Sequence, residues 1–167
     1  MFLKVKPFQE TLNAGYCGPA SLVIIFNYYG LKTSEHKLAK LCGTKKDLGT
    51  SEKDLMRVAK SLGFNAKIQN NGGFLDIEKW LSKGVPVIVD WFTRGGESHF
   101  GAVADGHYSV VFGLDKKFIY IQDPEIGRSR KITRKDFKKV WFDYSGIFPE
   151  KNKFTVRQLI AVFPRDF

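Results

Sequence analysis

The period of the hydrophobic pattern changes about halfway along the chain, and this change constrains the fold more than any other feature. Up to residue 82, apolar side chains recur at steps of three and four residues, which is typical of amphipathic helices. From residue 86 onward, strand-length runs rich in β-branched and aromatic residues replace this pattern. Helices followed by strands predict an α+β fold, in which an N-terminal helical layer packs on a mainly antiparallel sheet.

Start and stop signals predict four helices in the first half of the chain. These helices run from Cys17 to Gly30, from Ser34 to near Gly43, from Ser51 to Gly63 and from about Leu75 to Ser82. A serine opens the second and the third, and a glycine lies at or just beyond the end of each helix. Serine is a preferred N-cap, and glycine tolerates the backbone conformation that ends a helix.

Four strands are predicted in the second half of the chain. They are PVIVDWF (86–92), HYSVVFGL (107–114), KFIYIQD (117–123) and RQLIAVF (157–163). The first is a strand-length run of β-branched and aromatic residues, which predicts burial on both of its faces. The second and third flank Asp115 and Lys116, a pair that suits a tight hairpin turn. A short helix, DFKKVWF, is predicted to follow Thr133 as its cap.

The length of 167 residues suits one domain that spans residues 1–167. Cys17 and Cys42 cannot form a disulfide framework, and no CxxC pair or Cys/His cluster indicates zinc or another cofactor. The longest apolar run, residues 22–26, is far shorter than the roughly 20 residues of a membrane span. The first residues lack the apolar core of a signal peptide. We therefore expect a protein of the reducing cytoplasm with no membrane span and no cofactor.

The formal net charge of +10 favours acidic partners but does not distinguish nucleic acid, an anionic membrane or an acidic peptide. Basic residues are densest in GRSRKITRKDFKK, residues 127–139, which we interpret as a solvated face. The chain has no helix-turn-helix pattern, no aromatic-basic RNA motif and no zinc knuckle. Nucleic-acid binding is therefore disfavoured.

Cys17 lies in an unusual setting for a free cysteine, a residue type that is most often buried. Pro19 suits the first turn of a helix, which places the sulfur at the helix N-terminus. There the unpaired N–H groups and the positive end of the helix dipole favour thiolate over thiol. Gly18 leaves room for a substrate backbone. Cys42, near the end of a helix, has no such setting and is predicted to be structural.

A cysteine nucleophile needs a base, and the chain has three histidines. His36 lies in the polar stretch TSEHK and is predicted on an exposed helix face. His99 lies in a glycine-rich loop, whereas His107 begins a strand. If that strand pairs with the next one around Asp115 and Lys116, the residue opposite His107 is near position 124.

Asp123 therefore lies within about one residue of His107 at the open end of the hairpin. Strand alternation leaves its facing open, because a slip of one residue turns the side chain to the other face. An acidic group beside the base fixes its tautomer and orientation. Cys17, His107 and Asp123 form a candidate triad, and the amide of Gln9 is a candidate donor to the oxyanion.

The chain resembles the bacteriocin-processing peptidase family and its relatives. The resemblance lies in Gln9 and, in order, YCGPASLVIIFNYYG, GTSEKDLMRVAKSLGF, PVIV, GHYSVV and QDP, over roughly residues 7–142. Members of that family are papain-like cysteine peptidases, often fused to exporters, that cleave leader peptides after a double-glycine motif. The resemblance implies Cys17 as nucleophile, His107 as general base and acid, Asp123 as orienting residue and Gln9 in the oxyanion hole. It also implies a peptide or protein substrate and a separate membrane transporter as a candidate partner.

Three features depart from the family pattern. Tyr16 stands where many relatives carry a polar or acidic residue, and the glycine-rich stretch at residues 91–106 is longer than usual. The chain contains no transporter, so a stand-alone relative with another substrate is an alternative, including an acyl or amide hydrolase or transferase. The main rival is an inactive peptide-binding module of the same fold.

Overall fold

The helices of the first half lie where the sequence pattern predicts them, and most of the strands follow in the second half. The computed structural model describes residues 1–92, 106–144 and 154–167. The first half contains α1 (Cys17–Tyr28), α2 (Glu35–Cys42), α3 (Glu52–Ser61), β1 (Phe64–Gln69) and α4 (Phe74–Ser82). The second half contains β2 (Val87–Phe92), β3 (Gly106–Leu114), β4 (Phe118–Asp123), β5 (Arg128–Thr133), α5 (Arg134–Val140), β6 (Phe142–Tyr144), β7 (Phe154–Val156) and β8 (Leu159–Pro164). None of the helices described here has the length and apolar character to cross a membrane.

The helix caps confirm the predicted boundaries. The Ser34 hydroxyl accepts from the N–H of Lys37 at the start of α2, and Gly43 ends that helix in the left-handed conformation. Ser51 caps α3 in the same way, through the N–H of Asp54. Each of these local bonds satisfies one of the first N–H groups of its helix, so the starts of α2 and α3 are specified close to their own positions in the sequence.

The main sheet has six strands in the order β1-β8-β2-β3-β4-β5, and every pairing in it is antiparallel. β6 and β7 form a separate two-stranded ribbon. The α+β prediction is confirmed. Two strands of the main sheet were not predicted: β1, between two helices, and β5, inside the basic stretch.

Helices cover both faces of the sheet, whereas the sequence predicted one helical layer. α1, α2 and α3 pack on one face, around a cluster of buried residues that includes Leu22, Phe26, Leu55, Val110 and Ile160. α4 and α5 pack on the other face, around a cluster that includes Ile77, Trp91, Val111, Ile121 and Phe137. β2 is buried along nearly its whole length, which confirms the prediction from its apolar run.

The hairpin of β3 and β4 closes one residue later than predicted. The N–H of Asp115 donates to the carbonyl of Phe118, so the two turn residues are Lys116 and Lys117. The Asp115 carboxylate accepts from the N–H groups of Lys117 and Phe118 at 2.8 and 2.7 Å, which stabilises this turn. The predicted turn at Asp115 and Lys116 is therefore wrong, because the side chain of Asp115 initiates the turn instead of occupying it.

A β-bulge at residue 112 then shifts the register of the two strands. Leu114 pairs with Ile119, but beyond the bulge Val110 pairs with Gln122. Continued by one pair, this register places Asp123 opposite residue 109, on the same face as His107. Without the extra residue Asp123 would point to the other face, so the bulge decides whether the two side chains can meet.

Candidate active site

Cys17 is the first residue of α1. Tyr16 is the N-cap without a side-chain hydrogen bond, and its carbonyl accepts from the N–H of Ala20 at 2.8 Å. The thiol is half-buried and lies where the first-turn N–H groups of α1 have no partner inside the helix. The structure places this sulfur at a helix N-terminus, as the sequence predicted.

The chain's own side chains occupy the space beside Gly18. A Cβ atom there would lie 3.1 Å from the Cβ of Thr50 and 3.2 Å from a methyl group of Leu55. Gly18 therefore permits close packing of α1 against residues 50–55, and the expected room for a substrate backbone is not on this side. The tight contact holds the start of the helix in place.

His107 lies at the second position of β3 and is 7% exposed. Its Nε2 atom lies 2.7 Å from Oδ1 of Asp123, and its ring contacts the edge of Trp91 at 5.9 Å between centroids. Since Asp123 engages Nε2, Nδ1 is the ring nitrogen that remains available to the Cys17 side chain, which lies near enough to raise the pKa of His107. The structure thus brings together the three predicted residues Cys17, His107 and Asp123.

The pKa of His107 is raised well above its ordinary value. Burial alone would lower it, but the charge and hydrogen bond of Asp123 outweigh burial, and the Cys17 side chain acts in the same direction. The pKa of Asp123 is lowered although the residue is buried, because the charges and hydrogen bonds of His107 and Arg130 outweigh desolvation. The arrangement favours an imidazolium beside a carboxylate.

Gln9 is brought to the turn that follows Asp123, and its side chain is engaged there. Nε2 of Gln9 donates to the carbonyls of Pro124 and Glu125 at 3.1 and 2.6 Å. A Cβ atom on Gly127 would lie 2.5 Å from Oε1 of Gln9, so only glycine leaves room for this contact. Both amide hydrogens of Gln9 are thus directed to backbone carbonyls.

Glu10 also lies near the triad, and sequence reasoning missed it. Its N–H donates to the carbonyl of Pro124 at 2.9 Å, and its Oε2 atom is buried without a hydrogen bond. Burial raises the pKa of this carboxyl to about 7; His107 lowers it, while nearby carboxylates, Glu125 first, raise it. Its position next to the predicted Gln9 was the one signal that could have found it.

The other predicted assignments have the following outcomes. Cys42 is buried, and desolvation raises its pKa to about 12, in agreement with a structural role. His36 is exposed on α2, and its ring packs edge-on against Tyr16 at 5.7 Å. His99 and residues 93–105 of the glycine-rich stretch lie outside the described residues.

The donor atoms of His107, Asp123 and Glu125 lie within 4.8 Å of one another, a spacing that suits a metal ion. However, Asp123 already accepts from His107, from the N–H of Glu125 and from the guanidinium of Arg130. A cation beside this carboxylate would face the positive charge of Arg130. The group is better suited to hold an imidazole than a metal.

Comparison with known proteins places this sequence in a family. The sequence profile of the peptidase C39 family matches residues 7–153. The chain belongs to the peptidase C39 family. LagD, a lactococcin-G-processing and transport ATP-binding protein of Lactococcus lactis, is 30% identical over 125 residues. That match covers 75% of this chain but 16% of LagD.

Solved C39 structures share the fold. The peptidase domain of Streptococcus ComA, a bifunctional ABC transporter, matches with a TM-score of 0.70 at 22% identity, over 96% of this chain and 99% of that domain. A double-glycine-motif protease in complex with its leader peptide matches with a TM-score of 0.66 at 21% identity, over 98% and 94% of the two chains. The C39 chain described here therefore has the papain-like fold of cysteine peptidases, as its sequence predicted.

Proposed function

We propose that this C39 peptidase hydrolyses a peptide bond through an acyl-enzyme on Cys17. One observation carries the proposal: Nε2 of His107 lies 2.7 Å from a fully buried carboxylate, and a half-buried cysteine at the N-terminus of α1 lies near enough to raise the pKa of the same imidazole. Nucleophile, base and orienting group in this order are the parts that acyl transfer needs. An inactive binding module would not require all three.

The reaction follows from the protonation states of these groups. The Cys17 thiolate attacks the carbonyl carbon and forms a C–S bond, and the carbonyl oxygen becomes an oxyanion. The imidazolium of His107 gives its proton to the leaving amine as the C–N bond breaks, which leaves a thioester. Neutral His107 then takes a proton from water, whose hydroxide attacks the thioester and releases the acid and the thiolate. Asp123 stays ionised throughout and holds the ring.

The oxyanion needs donors, and we propose the N–H of Cys17 and the amide of Gln9. Because Gln9 donates to two carbonyls in this structure, at least one of these bonds has to break when substrate binds. Hydrogen bonds in an empty site often rearrange in the substrate complex. We expect Gln9→Ala to lower kcat by about 10²–10³-fold, with a small change in KM, in steady-state peptide hydrolysis. Unchanged kcat would contradict the assignment.

A double-glycine leader peptide is the proposed substrate class. LagD is named for processing a bacteriocin, and the solved double-glycine protease holds a leader peptide. The test is mass spectrometry of a synthetic peptide with an internal Gly-Gly, incubated with the protein. We expect cleavage directly after the second glycine. A matched peptide with Ala-Ala at those positions should remain intact, and equal cleavage of both would contradict double-glycine specificity.

We further propose that the chain acts in the cytoplasm, as one domain, on precursors exported by a separate transporter. One observation supports this proposal: LagD and ComA are each described as a transport protein. Pull-down of the transporter from the same cells with the purified protein would support the partnership.

Asp123→Asn tests the orienting role of the carboxylate. We expect kcat to fall by about 10²–10⁴-fold, because the amide neither stabilises an imidazolium nor selects the tautomer. The charge of Asp123 raises the pKa of His107 against the effect of burial. In the variant this pKa should fall, so the alkaline limb of the pH profile should move to lower pH. A pH profile of kcat/KM checks this. An alkaline limb unchanged from the unsubstituted protein would contradict it.

A further inference from the structure

Asp123 is fully buried, and both of its oxygens are bound. Oδ1 lies 2.7 Å from Nε2 of His107 and accepts from the N–H of Glu125 at 2.9 Å. Oδ2 accepts from Nε of Arg130, so the carboxylate lies between an imidazole and a guanidinium. A buried carboxylate is strongly disfavoured unless such partners compensate it.

Arg130 reaches this position because of the register of the edge strand β5. It pairs with Ile121 of β4, two residues before Asp123, so alternation places Arg130 and Asp123 on one face of the sheet. Arg130 is 5% exposed, although its neighbours Ser129 and Lys131 are exposed. The prediction that the basic stretch is a solvated face is therefore wrong at Arg130, which is a buried partner of the triad.

We propose that Arg130 is a positioning residue for the reaction, which keeps Asp123 ionised and fixes the plane of its carboxylate so that Oδ1 stays on His107. This inference rests on the proposed function, since it assigns Asp123 its orienting role. Arginine suits the task because its guanidinium is planar, remains charged and donates in a fixed direction. Lysine would supply the charge without the fixed direction.

The proposal has a consequence for pH dependence. Charged and titratable groups approach Asp123 from every element packed around it: His107 on β3, Arg130 on β5, Glu125 in the following turn, Glu10 on the N-terminal segment and, through His107, Cys17 on α1. The positive charge nearest to Asp123, besides His107, is that of Arg130. Without it, burial and the two carboxylates would favour protonated Asp123. A neutral Asp123 no longer stabilises the imidazolium, so a neutral thiol beside a neutral imidazole would replace much of the thiolate–imidazolium pair, and the Cys17 thiolate would form only at higher pH.

Alkylation of Cys17 by iodoacetamide, followed by mass spectrometry at a series of pH values, reads out this pair without any peptide substrate. In Arg130→Gln we expect the midpoint of the alkylation profile to move up by about one pH unit or more. Arg130→Lys should return the midpoint to that of the unsubstituted protein while kcat on the Gly-Gly peptide stays at least about tenfold lower. Arg128→Gln, an exposed arginine two residues away on the same strand, is the matched control and should leave profile and kcat unchanged.

Thermal unfolding first shows which variants are folded. If Arg130→Gln is not folded, the alkylation profile of Arg130→Met is measured instead. If neither variant folds, the proposal is tested by the expected tenfold loss of kcat in Arg130→Lys. A folded neutral variant with the unsubstituted alkylation profile would overturn the proposal, as would full kcat in Arg130→Lys. Failure of the proposed function can be distinguished from failure of the Arg130 proposal. In the former case the unsubstituted protein would leave the Gly-Gly peptide intact, whatever alkylation profiles the Arg130 variants give.

Discussion

Cys17→Ala is expected to lower kcat for Gly-Gly peptide hydrolysis by about 10⁵–10⁶-fold. Alanine removes the sulfur atom that we propose to form the thioester, and no neighbouring group in the described site can replace it. The fold should persist, because the thiol is half-buried and lies at the start of α1, whose packing depends on the buried residues from Gly18 to Phe26. The measurement is single-turnover hydrolysis, followed by mass spectrometry, beside circular dichroism of the variant.

The second cysteine provides a matched control. Cys42 is buried at the end of α2, away from any helix N-terminus, and its raised pKa keeps it a thiol. Cys42→Ala is therefore expected to retain turnover, with at most a loss of stability from the smaller side chain. Undiminished hydrolysis by Cys17→Ala, or an equal loss in the two variants, would contradict the assignment of the nucleophile.

His107→Ala is expected to have the second largest effect, a loss of about 10²–10⁴-fold in kcat. The variant lacks the group that we propose to protonate the leaving amine and to activate the deacylating water. It also leaves Asp123 buried beside Arg130 with one oxygen deprived of its imidazole partner. Steady-state hydrolysis across pH is the measurement, and the loss should persist at every pH.

Substitutions of the other two histidines are controls that show whether the loss of activity is specific to His107. His99→Ala and His36→Ala should each retain most activity, although the ring of His36 contacts Tyr16, directly before the nucleophile. A loss in His99→Ala equal to that in His107→Ala would contradict the choice of base. A loss confined to KM in His36→Ala would instead indicate that Tyr16 and His36 contribute to substrate binding.

The sequence was sufficient for the helices and for predicting that Cys17, His107 and Asp123 lie near one another. Helix boundaries were predictable because Ser34, Ser51 and Gly43 act within one turn of their own positions. The strand β2 was predictable because its burial on both faces removes polar alternation. Cys17 was recognisable because Pro19 marks a helix start two residues later.

Features that depend on distant contacts were not predictable. β1 lies between two helices and carries the partly polar sequence FNAKIQ, which becomes a strand because β8 pairs with it. β5 has the same origin, since pairing with β4 turns a basic stretch into a sheet edge with Arg130 inside. The burial of Glu10 likewise follows from the approach of the N-terminal segment to Pro124.

The face of the sheet to which Asp123 points could not be predicted from the sequence. Its distance from His107 along the hairpin could be estimated from the strand lengths, but the side on which it points depends on a single extra residue at position 112. The turn one step later shifts the pairing by two residues and leaves the facing unchanged, whereas the bulge shifts it by one residue and turns Asp123 to the face of His107. Neither has a signal in the sequence strong enough to choose among neighbouring registers.

Alkylation of the two cysteines in one sample is the most direct test of whether Cys17 is an activated nucleophile. Purified protein is treated with iodoacetamide at neutral pH, and peptides containing Cys17 and Cys42 are quantified over time by mass spectrometry. We expect rapid modification of Cys17, negligible modification of Cys42, and a large loss of the Cys17 rate in His107→Ala. A Cys17 rate no greater than that of an ordinary exposed thiol and unaffected by His107→Ala would contradict an activated nucleophile at this site.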